Sequence, residues 1–156
     1  MTKYLVKDKE ELQEIIKTNS KPLNSLDVSN ITDMSSLFYN ISNVTYFDID
    51  SWNTSNVISM SSMFYNCKSL ITIPLLDTSN VTSMPYMFFN CSSLTTIPFL
   101  DTSNVTNMYC MFSNCSSLPL LDKVLFLDKS NNDFKRQIYL QMSQEQLQQT
   151  YNNLVV

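Results

Sequence analysis

The sequence predicts an α/β solenoid that has one short strand and one helical turn per repeat and a helical cap at each end. Three observations predict it: a motif that recurs four times, β-prone stretches that end at proline, and amphipathic helical patterns outside the repeats. The copies are NITDMSSLF (30–38), NVISMSSMF (56–64), NVTSMPYMF (80–88) and NVTNMYCMF (104–112), at steps of 26, 24 and 24 residues. A unit this short must bury its apolar residues by stacking on its neighbours.

The first predicted element is a helix over residues 7–17. Leu12, Ile15 and Ile16 fall on one face of it, and charged residues fall on the other. We expect this helix to cap the first repeat, so residues 1–22 are interpreted as an N-terminal helical cap.

Each repeat is predicted to contain one short strand. The stretches SLITIP and SLTTIP are β-prone and end at Pro74 and Pro98, and the last copy contains Pro119. Because proline has no N–H to donate to a ladder, it stops a strand. The apolar positions of these strands are Leu70, Ile73, Leu94, Ile97, Leu118 and Leu121.

One helical or 3₁₀ turn is predicted between successive strands. Ser59 and Ser83 suit a helix N-cap, and Pro85 suits the first helical position. The turn is expected to end in the left-handed region at an asparagine, since asparagine tolerates that conformation better than most residues. The asparagines concerned are Asn66, Asn90 and Asn114.

A second helical cap is predicted at the C-terminal end, over residues 123–156. Ser143 and Gln146 resemble a capping box that opens a last helix, with Leu147 and Tyr151 facing inward. The four-unit solenoid between the caps is assigned to residues 23–122, and the whole chain is expected to form one structural domain.

The repeat resembles that of the BspA-like leucine-rich-repeat surface proteins, in the branch with a repeat of about 25 residues that mycoplasma lipoproteins also contain. The resemblance is carried by DTSNVTSMPYMFFNCSSLTTIPFL (77–100) and by KEEL (9–12) followed by LDVSNITDMSSLF (26–38), and it covers about residues 21–122. It implies a right-handed leucine-rich-repeat-like solenoid used for adhesion or protein recognition, without catalytic residues. The family often has glycine where this chain has Asn40, Asn66, Asn90 and Asn114.

Composition narrows the function classes. The 156 residues are 44% hydrophobic and 15% charged, with a net charge of -4, which is typical of a globular protein. A surface that binds nucleic acid needs clustered Lys and Arg, which the repeats lack. We also expect no membrane insertion.

Residues 1–18 contain no apolar stretch of signal-peptide length, so the chain is expected to be cytoplasmic if Met1 is the native start. The family resemblance instead implies a cell-surface or secreted protein.

Three cysteines, Cys67, Cys91 and Cys115, occupy one repeat position. Stacking would place them about 5 Å apart, which permits a disulfide or a thiolate metal site. Ile41 holds the same position in the first copy, which favours free, buried thiols. Cys110 has no CxxC partner and the chain has no histidine, so no metal site is expected.

A column of Asp27, Asn53, Asp77 and Asp101 has two interpretations. One acidic side chain per turn is reminiscent of calcium-binding repeats. The favoured interpretation is a turn in which each side chain bonds the backbone two residues later.

An enzyme is not expected, because no histidine is present to activate a serine or threonine, and no cofactor is expected.

Two surfaces are candidates for partner binding. The first, the aromatic stripe, comprises Tyr39, Tyr65 and Phe89, which follow the repeated phenylalanine directly. Such a stripe marks a recognition surface or staples adjacent units together. The second, the threonine face, comprises Thr72, Thr95 and Thr96 with the flanking Leu75 and Phe99. The leucine-rich-repeat resemblance favours this strand face.

The sequence therefore predicts a non-enzymatic protein-recognition module that binds a protein ligand, by bacterial surface adhesion or host-protein binding. The alternative is an intracellular scaffold or structural repeat protein that associates with itself through strand edges. A monomer or weak self-association is expected.

Overall fold

The computed structural model describes residues 2–127 and 142–155. In chain order the elements are β1 (Tyr4–Leu5), α1 (Lys9–Thr18), a 3₁₀ turn (Leu23–Ser25), β2 (Leu26–Asp27), α2 (Leu120–Leu127) and α3 (Gln144–Leu154). Strands β1 and β2 pair in parallel, with Tyr4 opposite Leu26 and Leu5 opposite Asp27. The four repeats, called units 1 to 4 after Phe38, Phe64, Phe88 and Phe112, lie between β2 and α2.

The units lie side by side in register. The four phenylalanine side chains are at most 1% exposed, and their rings follow one another at centroid distances of 5.4, 5.6 and 5.8 Å, almost parallel. Valine, methionine and cysteine positions form further buried columns beside them. The core therefore consists of columns of side chains that run through successive units, so no single unit forms it alone.

Backbone hydrogen bonds alternate between two directions within the repeated motif. The N–H groups of Met34, Ser36, Phe38 and Asn40 donate to carbonyl oxygens of unit 2, each at 2.9 Å. The intervening N–H groups, from Leu37 onward, donate three residues back and close tight turns within the unit. The same alternation recurs in units 2 and 3, with bonds between units of 2.7 to 3.0 Å. Each unit is thus tied both to itself and to the next.

This alternation corrects the predicted helical turn. Residues 28–119 are all described, and they contain turns and isolated parallel bridges but no helix. A helical turn needs its N–H groups for carbonyls of the same turn, but every second N–H here bonds the next unit. Ser59 and Ser83 are therefore bridge residues, not N-caps. Pro85 fits because its position does not donate to the neighbouring unit.

The predicted strands also lie elsewhere. No strand is assigned in SLITIP or SLTTIP. These stretches make few backbone bonds to the adjacent unit: the N–H groups of Ile71 and Thr95 donate to the carbonyl oxygens of Thr45 and Ile71, each at 3.0 Å, and that of Ser93 donates to Lys68 at 3.1 Å. The parallel bridges instead join Asp33 to Ser59, Ser59 to Ser83, and Ser83 to Asn107.

Left-handed residues take the place of glycine. Asn40, Asn66, Asn90 and Asn114 have φ between 59° and 64°, as predicted for the last three. A second column, Ser36, Ser62, Tyr86 and Cys110, also has positive φ, between 52° and 59°, and was not predicted. The asparagine side chains bond along the stack, because Asn66 Nδ2 donates to Asn40 Oδ1 at 2.8 Å and Asn90 Nδ2 to Asn66 Oδ1 at 2.5 Å.

The capping helices are confirmed with small shifts. Helix α1 begins after Asp8, whose side chain accepts the Glu11 N–H, and it buries Leu12 and Ile15. Helix α3 begins at the predicted capping box, in which Ser143 N donates to Gln146 Oε1 at 2.8 Å and Gln146 N to Ser143 Oγ at 3.3 Å. Leu147 is buried in it, and Tyr151 is half-buried.

Helix α2 was not predicted. It begins directly after Pro119 and contains Leu121, which the sequence assigned to a strand, and the predicted boundary at residue 122 falls inside it. Its Val124 packs with Leu147 of α3 in a small second core. The handedness of the stack and its leucine-rich-repeat-like class remain predictions.

Candidate functional site

The aromatic stripe is an ordered ladder of rings. Tyr39 and Tyr65 stack at 4.7 Å, and Tyr65 and Phe89 stack at 4.9 Å, with interplanar angles of 10° and 8°. Tyr39 is 46% exposed, whereas Tyr65 and Phe89 are half-buried. Because the ring faces cover one another, the inner rings offer mainly their edges to a partner. This geometry gives the stripe a clear role in holding adjacent units together.

The threonine face is more open. Thr95 and Thr96 are exposed and Thr72 is half-buried. The Thr95 hydroxyl donates to the Ile71 carbonyl oxygen at 3.3 Å, which keeps units 2 and 3 aligned across this face. Ile71 itself is 47% exposed. The structure therefore places Thr95 beside Ile71 of the adjacent unit, and Thr72 and Thr96 follow these two residues at one shared repeat position.

The most exposed large apolar side chains of the described residues flank these threonines. Phe99 is 76% exposed and Leu75 is 67% exposed. Burial alternates along both stretches, because Leu76 and Leu100, which follow these two residues, are buried. Leu75 and Phe99 occupy the same position in consecutive units, which places two exposed apolar side chains side by side.

The Asp/Asn column performs the predicted turn role. The backbone N–H groups of Ser29, Ser55, Ser79 and Ser103 each donate to the side-chain oxygen two residues earlier, at 2.9 to 3.2 Å. Hydrogen bonds from Ser79 and Ser103 lower the pKa values of Asp77 and Asp101, so both carboxylates are ionised at neutral pH. The described residues contain no group of three or more His, Cys, Asp or Glu that could hold a metal ion.

The cysteine column is buried and its thiols are free. Cys67, Cys91 and Cys115 donate their S–H groups to the carbonyl oxygens of Phe38, Phe64 and Phe88 at 3.1, 3.0 and 2.9 Å. Burial raises the thiol pKa to about 12 at Cys67 and about 11 at Cys115, and raises that of Cys91 as well. These thiols stay protonated near neutral pH, which suits a packing role.

Alkylation should separate these thiols from the fourth. We expect iodoacetamide at pH 8 to modify half-buried Cys110 of the native protein quickly and the column slowly, because the column thiols are buried and their raised pKa values leave little of the reactive thiolate. Denatured protein should show four modified thiols by mass spectrometry. Cys91→Ala should cost only about 1 to 2 kcal/mol, as a small cavity and one lost hydrogen bond. Fast native modification of the column, or a mass two units low for a disulfide, would contradict this interpretation.

Sequence reasoning missed two features of these surfaces. The hydroxyl ladder of Ser35, Ser59, Ser61 and Ser83, joined at 2.8 to 3.2 Å, was not anticipated. The acidic neighbours of Leu75 and Phe99 were interpreted only as turn residues. The sequence contained a signal for the placement of these aspartates. In LLD (75–77) and FLD (99–101) an exposed apolar residue is followed by a buried leucine and then by the aspartate.

None of the described helices is long and apolar enough to cross a membrane. Comparison with curated proteins and with solved structures found no match. The family comparison did: residues 6–119, and again residues 71–138, match the family described as "Mycoplasma protein of unknown function, DUF285". Since the first match spans well over half of the 156 residues, the chain belongs to this Mycoplasma protein family.

Proposed function

We propose that the protein is a non-enzymatic protein-recognition module that binds its partner through the threonine face. The observation that carries the proposal is the pair Leu75 and Phe99, two large apolar side chains left 67% and 76% exposed in adjacent units. Exposed apolar side chains grouped on one face are typical of interaction surfaces. The same residue type at the same position of a stacked scaffold produces an extended, repeated contact surface.

The scaffold under this proposal is a right-handed leucine-rich-repeat-like solenoid of four units with helical caps. Parallel bridges between successive units and the continuous phenylalanine column support it. The BspA-like character of the repeat sequence supports surface adhesion or binding of a host protein as the biological role. The aromatic stripe is secondary in this view, because its ring faces are used within the stack.

Two variants test which surface binds. Thr72, Thr95 and Thr96 are replaced together by Lys in one, and Tyr65 and Phe89 by Ser in the other. Both are compared with the parent in pull-downs from host extracellular matrix and from bacterial lysate, after their melting curves have been checked. We expect the lysine variant to melt within about 0.5 kcal/mol of the parent and to lose the specific partner. Loss only in the aromatic variant would move the site to the stripe, and loss in neither would contradict recognition.

One observation favours the rival role, an intracellular scaffold that associates with itself. Within the described part of the chain, the N–H groups of Met108, Cys110 and Asn114 have no acceptor, although the equivalent groups of units 1 to 3 all bond the next unit. Backbone N–H groups that lack an acceptor can pair with another chain. Concentration-dependent sedimentation of the parent protein, with no partner captured from either extract, would favour this rival.

A further inference from the structure

Leu75, Asp77, Phe99 and Asp101 form one feature, called here the apolar–acidic ridge. In each unit the apolar residue and the aspartate are two positions apart, and the residue between them is buried. The hydroxyl of Thr78 donates to the Asp101 carbonyl oxygen at 2.9 Å, which aligns the two units at this point. Asp101 is also near enough to oppose the lowering of the Asp77 pKa. The ridge is therefore a two-by-two array of apolar and anionic side chains.

The ridge has no cationic partner within the described residues. The ion pairs there involve Asp8, Asp33 and Glu14, and none involves Asp77 or Asp101. The repeats between residues 28 and 119 contain five aspartates and one lysine, Lys68. A partner that brings positive charge to the ridge is therefore attracted, and a negatively charged one is repelled.

At the other end of the stack, one segment of the chain carries an apolar and a basic residue beside the first member of the aspartate column. Strand β1 pairs with β2 so that Leu5 lies opposite Asp27, the first member of the aspartate column, and Lys3 precedes Tyr4 on the same segment. Lys3 Nζ donates to the carbonyl oxygen of Ser51, at 2.5 Å. Ser51 holds in unit 2 the position that Leu75 and Phe99 hold in units 3 and 4. Hydrogen bonds from Ser29 chiefly lower the Asp27 pKa, and the charge of Lys3 lowers it further.

We propose that the apolar–acidic ridge binds an extended segment of a protein partner in which large apolar residues and lysine or arginine alternate at every second position, so that both types lie on one face. The inference rests on the proposed function and specifies the chemistry of the partner. An extended peptide repeats its side chains on one face about every 6.6 Å, which suits the two-residue separation of Leu75 and Asp77. Its basic side chains face Asp77 and Asp101, and its apolar side chains cover Leu75 and Phe99. The contact is small, so binding is expected in roughly the micromolar range.

Two capped synthetic peptides with apolar and charged residues on one face probe this with the full chain, the basic SLSKSFSKS and the acidic SLSESFSES. Binding is measured by fluorescence anisotropy at 50 and 500 mM salt, and the site is mapped by NMR shifts. We expect the basic peptide to bind, to weaken at high salt and to shift residues 71–77 and 95–101. Equal binding of the two peptides, or no binding of the basic one, overturns the proposal.

Matched variants locate the contact. One double variant carries Asp77→Asn and Asp101→Asn. Its control carries Glu10→Gln and Glu14→Gln, which change the net charge by the same amount on the exposed face of α1. Asparagine keeps the turn acceptor, as Asn53 does in unit 2. We expect only the aspartate variant to bind the basic peptide more weakly, by about threefold to tenfold. An equal loss of affinity in the glutamate variant would show that the effect depends on net charge alone, and would overturn the proposal.

A second pair of variants tests the apolar residues of the ridge. Leu75→Ser with Phe99→Ser should weaken binding of the basic peptide about tenfold or more. The control, Ile58→Ser with Tyr109→Ser, changes two other exposed side chains and should not weaken binding. Self-association of the parent that disappears in the Leu75/Phe99 variant would assign the ridge to a second copy and overturn the proposal. If the peptides fail while the lysine variant of the threonine face still loses its captured partner, only this inference is wrong. If both fail, the proposed function is wrong as well.

Discussion

Phe88→Ala is expected to be among the most destabilising single substitutions, at about 3 to 5 kcal/mol. The Phe88 side chain is fully buried, and its ring lies between those of Phe64 and Phe112 at 5.6 and 5.8 Å. Truncation removes a large buried side chain and interrupts the column, so the two adjacent rings lose a stacking partner as well as burial. Chemical denaturation at equilibrium measures the loss directly.

Phe89→Ala provides the matched control, since it removes the same side chain from the next residue. Phe89 is half-buried and stacks on Tyr65 at 4.9 Å, so its truncation leaves solvent, and not an enclosed cavity, in its place. We expect a loss clearly smaller than that of Phe88→Ala. Equal or reversed losses would show that the phenylalanine column is not the main source of stability between units.

The interior of the stack could be predicted from the sequence because each unit repeats it. The recurring phenylalanine, methionine and valine positions have to meet their own copies when units stack, and burial of the Phe38, Phe64, Phe88 and Phe112 column is confirmed. The end helices were predictable for a different reason. Amphipathic spacing and the capping-box residues Ser143 and Gln146 act locally, within one turn of chain.

The backbone of each unit could not be predicted in the same way. Serine, methionine and asparagine in MSSMFYN have no strong preference for strand over turn, and the outcome depends on acceptors one unit away. Once every second N–H bonds the next unit, left-handed turn residues follow even at Ser36, Ser62 and Tyr86, where residue type gave no indication. Pro85 was taken as a helix start because its sequence context does not reveal which N–H groups the next unit uses.

The candidate surfaces were predictable as positions, and their degree of exposure only in part. Tyr65 and Phe89 follow buried phenylalanines, so exposed or half-exposed rings were expected, and stacking on each other leaves them half-buried. Leu75 and Phe99 are much more exposed, at 67% and 76%. Each of them precedes a buried leucine. Side-chain exposure therefore depended on contacts between units that a single repeat does not specify.

Removal of residues 1–21 is expected to give a partly unfolded or aggregating protein. The lost segment contributes Val6, Leu12 and Ile15, all at most 5% exposed, to the main core. It also removes β1 and the following Val6, whose N–H donates to the Asp27 carbonyl oxygen at 2.9 Å. The apolar cross-section of unit 1 would then face water, and in a stacked repeat protein the loss spreads from unit to unit. Size-exclusion chromatography and a thermal melt report the effect.

A point substitution tests the same cap without shortening the chain. Leu12→Asp places a charge in the fully buried position of α1, while Gln13→Asp places the same charge on its exposed face. Burying an unpaired carboxylate costs several kcal/mol, so the Leu12 variant should resemble the truncation and the Gln13 variant should resemble the parent. The two outcomes separate lost burial from altered charge. A truncated chain that stays monomeric with an unchanged melting temperature would show that α1 is not a cap, and that unit 1 can close the stack with its own side chains.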